Sequence, residues 1–246
     1  MPTTADSDFA IVIPARFKST RFPGKPLQEI DGKPMIQRVW ERCAEAVAAK
    51  DVFVATDDAR IREACEGFGA SVIMTSEDCL TGTDRVAEAA EHLEHRFVVN
   101  VQGDEPMIDA GDILAVAEAF RKSDDAVVNA MTAIDDEDEY WSRNVPKVIT
   151  DPNGRLLYMS RAAIPANKGG SFERAWKQVC IYAFSRDHLR RFSSVSRKGR
   201  IEQIEDIEIL RFVEMGIDVS IVELDSASMA VDTPEDLEKV IRAISS

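Results

Sequence analysis

Long apolar runs, metal-type cysteine spacing and histidine clusters are all missing from this sequence. The four cysteines (Cys43, Cys65, Cys79 and Cys180) form no CxxC pair, so neither a zinc site nor a disulfide framework is supported, and reduced thiols are expected. No apolar stretch approaches the about 20 residues a membrane helix needs, and the segment Met1 to Asp8 is polar, acidic and short, unlike a signal peptide. A cytoplasmic protein is the expectation. Histidine occurs three times, and no Ser-His-Asp set can be assembled. His92 and His95 lie three apart beside Glu91 and Glu94, which a solvated helix end explains better than a metal site.

Charge of one sign is missing from one stretch. The chain carries a formal net charge of -14, which argues against nucleic acid and against an anionic membrane as partners. Yet from Phe9 to Gln28 there is no Asp or Glu, while Arg16, Lys18, Arg21 and Lys25 all fall there. A positive field kept inside an acidic protein points to a polyanionic ligand. Two familiar phosphate fingerprints are absent. A Walker A loop needs glycine and Ser/Thr where Ser19 and Pro26 stand, and no G-x-G-x-x-G occurs. Backbone amides of a tight loop, with Arg16, Arg21 and Lys25 over it, can still cradle a triphosphate.

The order of elements predicts the frame. Phe9 to Pro14 is a continuous apolar run of buried-strand type. A helix to about Ala49 follows Pro34, then a strand at Asp51 to Thr56 and a helix at Ala59 to Phe68 with Asp57 as its cap. Strands at Ser71–Thr75, Phe97–Val101 and Ala126–Thr132 alternate with helices at Thr83–Leu93 and Asp112–Lys122. This alternation predicts a Rossmann-like, doubly wound α/β fold with a mainly parallel, mixed sheet, whose strand-end loops gather on one edge. Asp135 to Glu139 reads as an acidic surface loop. Asp151-Pro-Asn-Gly154 marks a hairpin turn, an antiparallel excursion that reads as an interface arm or a substrate lid, within one domain spanning 1–246 and in a portion of it at about 135–185. A strand at Val179–Phe184, helices at Arg186–Phe192 and Glu205–Met215, a strand at Val219–Leu224 and a helix at Pro234–Ile244 complete the chain.

Asp104 follows the strand Phe97–Val101 through Gly103, at the carboxyl edge of the sheet. A carboxylate there beside a triphosphate can hold Mg2+, or it can cap the next helix. Asp232 is a second candidate ligand, though Thr233-Pro-Glu-Asp236 is also a good helix start.

The segments IPARFKSTRFPGKPL, VATDD, MTSEDCLTGTDR, VNVQGDEP, LLYMSRAAIP and VDTPEDL, in this order, closely resemble the 3-deoxy-manno-octulosonate (Kdo) cytidylyltransferases, the CMP-Kdo synthetases, over nearly the whole chain. The resemblance implies a nucleotide-diphospho-sugar transferase type of fold, a homodimer, and transfer from CTP to an acidic sugar. It implies that Ala15, Arg16, Ser19, Thr20, Arg21 and Lys25 form the CTP loop, with Arg16 and Lys25 on the phosphates. Ser76, Gly82 and Thr83 fall where cytosine and ribose are read, and Gln102 where the nucleotide is contacted. Asp104 and Asp232 match the Mg2+ aspartates, so Lys25, Arg16 and Asp104 are the expected catalytic groups. Arg161, Gln178, Tyr182 and Glu208 fall on the sugar side, and Lys147 matches a lysine just before the hairpin.

Three positions depart from the family. Gln178 stands where His is common, Ile209 where Gln is usual, and Cys79 begins the usual H-x-S-G-T segment. Two of these lie by the sugar, where replacing a hydrogen-bonding group changes specificity. The acceptor is therefore open between Kdo, an 8-amino analogue and a sialic-type acid. A nucleotidyltransferase for a sugar or alditol phosphate, and a silent nucleotide-binding regulator, are the remaining alternatives.

Overall fold

The computed structural model describes residues 7–18, 22–123, 126–225 and 228–245. Strand β1 (Phe9–Ala15) is buried along its whole length. Phe9, Ile11 and Ile13 face one core, and Ala10 and Val12 the other, which is why the run reads as continuously apolar. A 3-10 turn at Lys25–Leu27 and a short ribbon of β2 (Glu29–Ile30) and β3 (Lys33–Pro34) lead into α1 (Met35–Ala46). Then come β4 (Val52–Thr56), α2 (Ala59–Gly67), β5 (Ser71–Met74), α3 (Gly82–Ala90), β6 (Phe97–Val101), α4 (Ala110–Lys122) and β7 (Val127–Ala133). The second part runs α5 (Glu137–Trp141), β8 (Lys147–Thr150), β9 (Leu156–Ser160), β10 (Trp176–Ser185), α6 (Arg186–Ser193), α7 (Arg200–Glu205), α8 (Leu210–Glu214), β11 (Val219–Glu223) and α9 (Pro234–Ile244).

The main sheet has the order β11-β7-β10-β6-β1-β4-β5. Its pairs are parallel except those of β10, which runs antiparallel between β6 and β7. The β8–β9 hairpin hangs from β10. Its turn forms as expected, with Asp151 Oδ1 accepting from Asn153 and Arg155 N–H and Gly154 at φ 81°. The fold is thus the mixed, mainly parallel, doubly wound α/β sheet expected. Helices α1, α2 and α4 cover one face, and α3, α6 and α8 the other.

Three local expectations need correction. Asp58, not Asp57, caps α2 by accepting from Arg60 N–H, while Asp57 faces Arg85 at 3.4 Å. The acidic stretch after β7 is not all loop: Asp136 caps α5, whose three acidic first-turn residues suit a helix N-terminus. The helix expected over Glu205–Met215 is broken. α7 ends at Asp206 in the left-handed region, φ 53°, and a turn precedes α8. The break lets Glu208 reach the first turn of α3, where it accepts from Gly82 N–H, Thr83 N–H and Thr83 Oγ1.

A buried ionic group holds this second face together. The Arg211 guanidinium, 1% exposed, donates to both oxygens of Glu202 at 2.7 Å and to Asp84 at 2.8 and 3.2 Å, and it lies over the Phe192 ring. Removing one member leaves charge buried and unpaired, which costs more than the intact group contributes. Arg211→Met is therefore expected to lower unfolding free energy in urea by about 3 to 5 kcal/mol; a loss below about 1 kcal/mol would rule this account out.

Candidate active site

The loop after β1 closes on itself through Gly24, whose N–H donates to the Phe17 carbonyl at 3.0 Å. Gly24 has φ 70°, and a Cβ there would meet the Phe17 ring at 3.1 Å, so the turn requires glycine on two grounds. Arg60 stacks over the other part of this anchor, 3.3 Å from the Phe17 ring centroid. The turn delivers Lys25 to the carboxyl edge of the sheet. Its ammonium donates to Asp104 Oδ2 at 2.7 Å and to the Val231 carbonyl at 2.8 Å, and lies 3.7 Å from Asp232 Oδ1.

Neither aspartate is a helix cap. Asp109 caps α4 and Thr233 caps α9, so both carboxylates are free of that role. Val231 N–H donates to the Asp104 carbonyl at 2.9 Å, which lashes the C-terminal segment to the end of β6. Gly103 permits the close approach, since a Cβ there would lie 2.9 Å from the Pro14 carbonyl oxygen. Two carboxylates already converging on one ammonium fit a hard divalent cation. Such ions are commonly held by one or two carboxylates with substrate phosphates completing the shell. Among the described residues there is no group of three or more His, Cys, Asp or Glu side chains that could hold a metal by itself.

These groups open onto one cleft of about 710 Å3. Ala15, Arg16, Lys25, Asp104 and Asp232 are among the residues that line it. Arg16 is exposed and has no hydrogen-bond or ion-pair partner among the described residues. Gln102, Gly82 and Glu208 meet along its wall: a Cβ on Gly82 would press on the Gln102 amide at 3.2 Å and on Glu208 at 3.4 Å. Arg161, Gln178 and Tyr182 line the same cleft.

The remaining expected residues are placed differently. Thr83 is buried and its hydroxyl donates to Glu208; Ser76 is exposed, with its N–H donating to Glu88. Neither lines the cleft. Ser19, Thr20 and Arg21 lie outside the described residues. Arg161 donates to the carbonyls of Glu205, Arg143, Asn144 and Asp206. Lys147 donates to those of Ser142, Val145 and Arg161. Both cations thus hold the backbone of segment 142–145, which forms one lip of the cleft.

Other site residues escaped the sequence reading. Arg85 lines the cleft and binds Thr75 Oγ1, the Ser76 carbonyl and Asp57. Glu205 accepts from Tyr158, Ser160 and Arg161 N–H. Asn129, in the middle of β7, is fully buried and bonded to β10. The only sequence signal for it was an amide inside an apolar strand. Glu105, beside Asp104, is pushed up to about 7 by burial and by the Asp104 charge, against donation from Ser228 Oγ at 2.6 Å. Burial also raises Glu208, with the Thr83 and Gly82 donors opposing it.

A cation-bearing turn and paired carboxylates opening on one cleft at the edge of a mixed α/β sheet define a nucleotidyltransferase. The chain belongs to the cytidylyltransferase family, whose model matches residues 10–221, and within it stands among the 3-deoxy-manno-octulosonate cytidylyltransferases. It is 43% identical to the mitochondrial 3-deoxy-manno-octulosonate cytidylyltransferase of Arabidopsis thaliana, covering 93% of this chain and 80% of that protein. An 8-amino-3,8-dideoxy-manno-octulosonate cytidylyltransferase of Shewanella halifaxensis is 40% identical, over 92% of this chain and 94% of its own. A solved CMP:2-keto-3-deoxy-manno-octonic acid synthetase complexed with CTP superposes with TM-score 0.88 at 40% identity, covering 97% and 99% of the two chains.

Burial, with the Arg161 guanidinium adding to it, pulls the Lys147 ammonium down from 10.5 to about 8. Between these values the folded chain binds fewer protons than the unfolded one, so this group makes stability rise with pH across that window. Lys147→Met removes the effect. The gap in unfolding free energy between wild type and variant is expected to widen from the lower to the upper end of the window; a gap constant with pH would refute the assignment.

Proposed function

We propose that the protein transfers a cytidylyl group from CTP to the anomeric hydroxyl of a 3-deoxy-2-ulosonic acid, with Kdo as the acceptor, releasing pyrophosphate for bacterial surface polysaccharide or lipopolysaccharide synthesis. The observation that carries this is Lys25 lying between Asp104 and Asp232 in a cleft that Arg161, Gln178 and Tyr182 also line. Family membership and the CTP complex of the related synthetase support the donor.

In the reaction the sugar hydroxyl oxygen forms a bond to the α-phosphorus while the bond to the β-phosphate bridging oxygen breaks. Lys25 and Arg16, with Arg21 of the same loop, stabilise charge building on the departing pyrophosphate. Asp104 and Asp232 would hold Mg2+, which when bound would neutralise phosphate charge and lower the pKa of the attacking hydroxyl. Ser19 and Thr20 complete the loop around the triphosphate, while Ser76, Gly82 and Thr83 set the cytosine side, Ser76 and Thr83 by shaping the wall rather than by contact. Gln102 contacts the nucleotide. Arg161, Gln178, Tyr182 and Glu208 bound the acceptor, Arg161 by holding the cleft lip as well as by its charge. No side-chain nucleophile is needed.

The use of CTP supports a cytoplasmic enzyme, and no described helix is long and apolar enough to cross a membrane. A single domain with an arm at about 135–185 fits a homodimer built on the β8–β9 hairpin. The 8-amino acid is the second reading, favoured by the similarity to the Shewanella protein.

Pyrophosphate release measured with CTP and a panel of ulosonic acids is expected to be highest with Kdo; preference for the 8-amino or sialic-type acid would replace the acceptor, and release with none would refute the function. Chelation should abolish release and Mg2+ restore it. Asp104→Asn should lower turnover by about a hundredfold or more with the fold intact, and near-normal turnover would remove Asp104 from the metal site. Lys25→Ala should mainly weaken CTP use; an unchanged response would move the triphosphate elsewhere.

A further inference from the structure

Strand β10 carries an irregularity at the acceptor end of the cleft. Val179 pairs with Ala130 and Tyr182 with Asn129, so Cys180 and Ile181 are extra residues opposite two consecutive ones on β7. Such a bulge leaves carbonyls without ladder partners and re-aims side chains. Here the two carbonyls are satisfied by one side chain. Asn129, fully buried, donates through Nδ2 to Val179 O at 2.9 Å and to Ile181 O at 2.8 Å.

This settles the amide's orientation. Turning it over would set Oδ1 against two carbonyl oxygens and forfeit both bonds. Oδ1 is therefore left facing Gln178, and it accepts from Gln178 Nε2 at 3.0 Å. The other Nε2 hydrogen goes to the Tyr182 oxygen at 3.2 Å. Tyr182 cannot reverse that bond, since an amide nitrogen donates and has no lone pair with which to accept. Both hydrogens of the Gln178 amide are thus directed into the protein. Among the described residues no donor reaches its Oε1, and the half-buried side chain lines the cleft.

We propose that Asn129 is a positioning residue that locks the Gln178 amide so that it presents a carbonyl oxygen, and no donor, to the acceptor sugar, selecting a sugar acid with a hydroxyl at that point. This rests on the reading of the cleft's far end as the acceptor site. Gln178 is the residue in contact, and Asn129 acts through it. An imidazole at this place could turn or protonate to offer a donor; a locked amide cannot. The bulge, the amide pair and the specificity are then one device: the residue that repairs the strand irregularity also decides the polarity of the pocket wall.

The test is steady-state pyrophosphate release at saturating CTP, with the sugar acid varied, on the intact protein. Gln178→Leu should raise KM for the best wild-type sugar acid about 10- to 100-fold, as expected for a hydroxyl left unpaired, with KM for CTP unchanged. It should also lose the wild type's discrimination against the analogue lacking that hydroxyl. Asn129→Leu frees the Gln178 amide to turn, so it should raise KM for the sugar acid by a smaller factor, and the double variant should be no worse than Gln178→Leu alone. If leucine does not fold there, Asn129→Ser keeps a donor for the bulge but withdraws the acceptor from Gln178, and the same non-additivity is read from it. Unchanged KM for the sugar acid in Gln178→Leu, or additive effects of the two substitutions, overturns the proposal while leaving the function intact. A wild type that turns over no ulosonic acid overturns both.

Discussion

Lys25 is bonded to Asp104, 79 positions away, and to the Val231 carbonyl, 206 positions away. One ammonium therefore joins the loop after the first strand, the end of a central strand and a segment close to the C-terminus. Each of the three needs the others. The loop has cations without acids of its own, the β6 end has Asp104 beside a buried Glu105, and the C-terminal segment brings Asp232 and is held by Val231 N–H. Opposite charges brought this close at a partly screened edge attract by several kcal/mol before desolvation is counted, and they remain exchangeable for ligand charges of the same signs. This part of the cleft is thus assembled from segments far apart in the chain.

Around Arg161, Gln178 and Tyr182 the cleft is built on another basis. There the structural groups are cations that bind backbone carbonyls, Arg161 and Lys147, and amides that bind one another and the β10 bulge. Hydrogen bonds to fixed backbone atoms give geometry rather than charge. At Gly82, which also lines the cleft, the absence of a side chain lets Gln102 and Glu208 approach. Behind this junction, Arg211 holds Glu202 and Asp84, so the first turn of α3 is anchored from below as well as capped by Glu208.

The frame was legible in the residues because strand and helix periodicities are local properties. Continuous apolar runs marked β1 and β6, and Pro34 and Thr233-Pro234 marked helix starts. Errors arose where a distant partner overrode local preference. Asp57 and Asp58 are equally plausible caps by sequence; Arg85, from α3, draws Asp57 away. The helix over Glu205–Met215 breaks because Glu208 finds three donors on α3. Asn129 looked like a polar interruption in an apolar strand, since the β10 bulge it repairs lies 50 positions on.

The sequence by itself determined the parallel α/β frame and the acid-free cationic loop, because each is written in consecutive residues; it marked Asp104 and Asp232 singly, and their meeting on Lys25 is tertiary. Only the tertiary structure decided which of the marked residues share the cleft, that Thr83 and Ser76 stand behind it, and that Arg161 holds main chain. These depend on which donors and acceptors meet across the sheet edge, and a buried group takes whichever partner the fold supplies rather than the one its neighbours in sequence suggest.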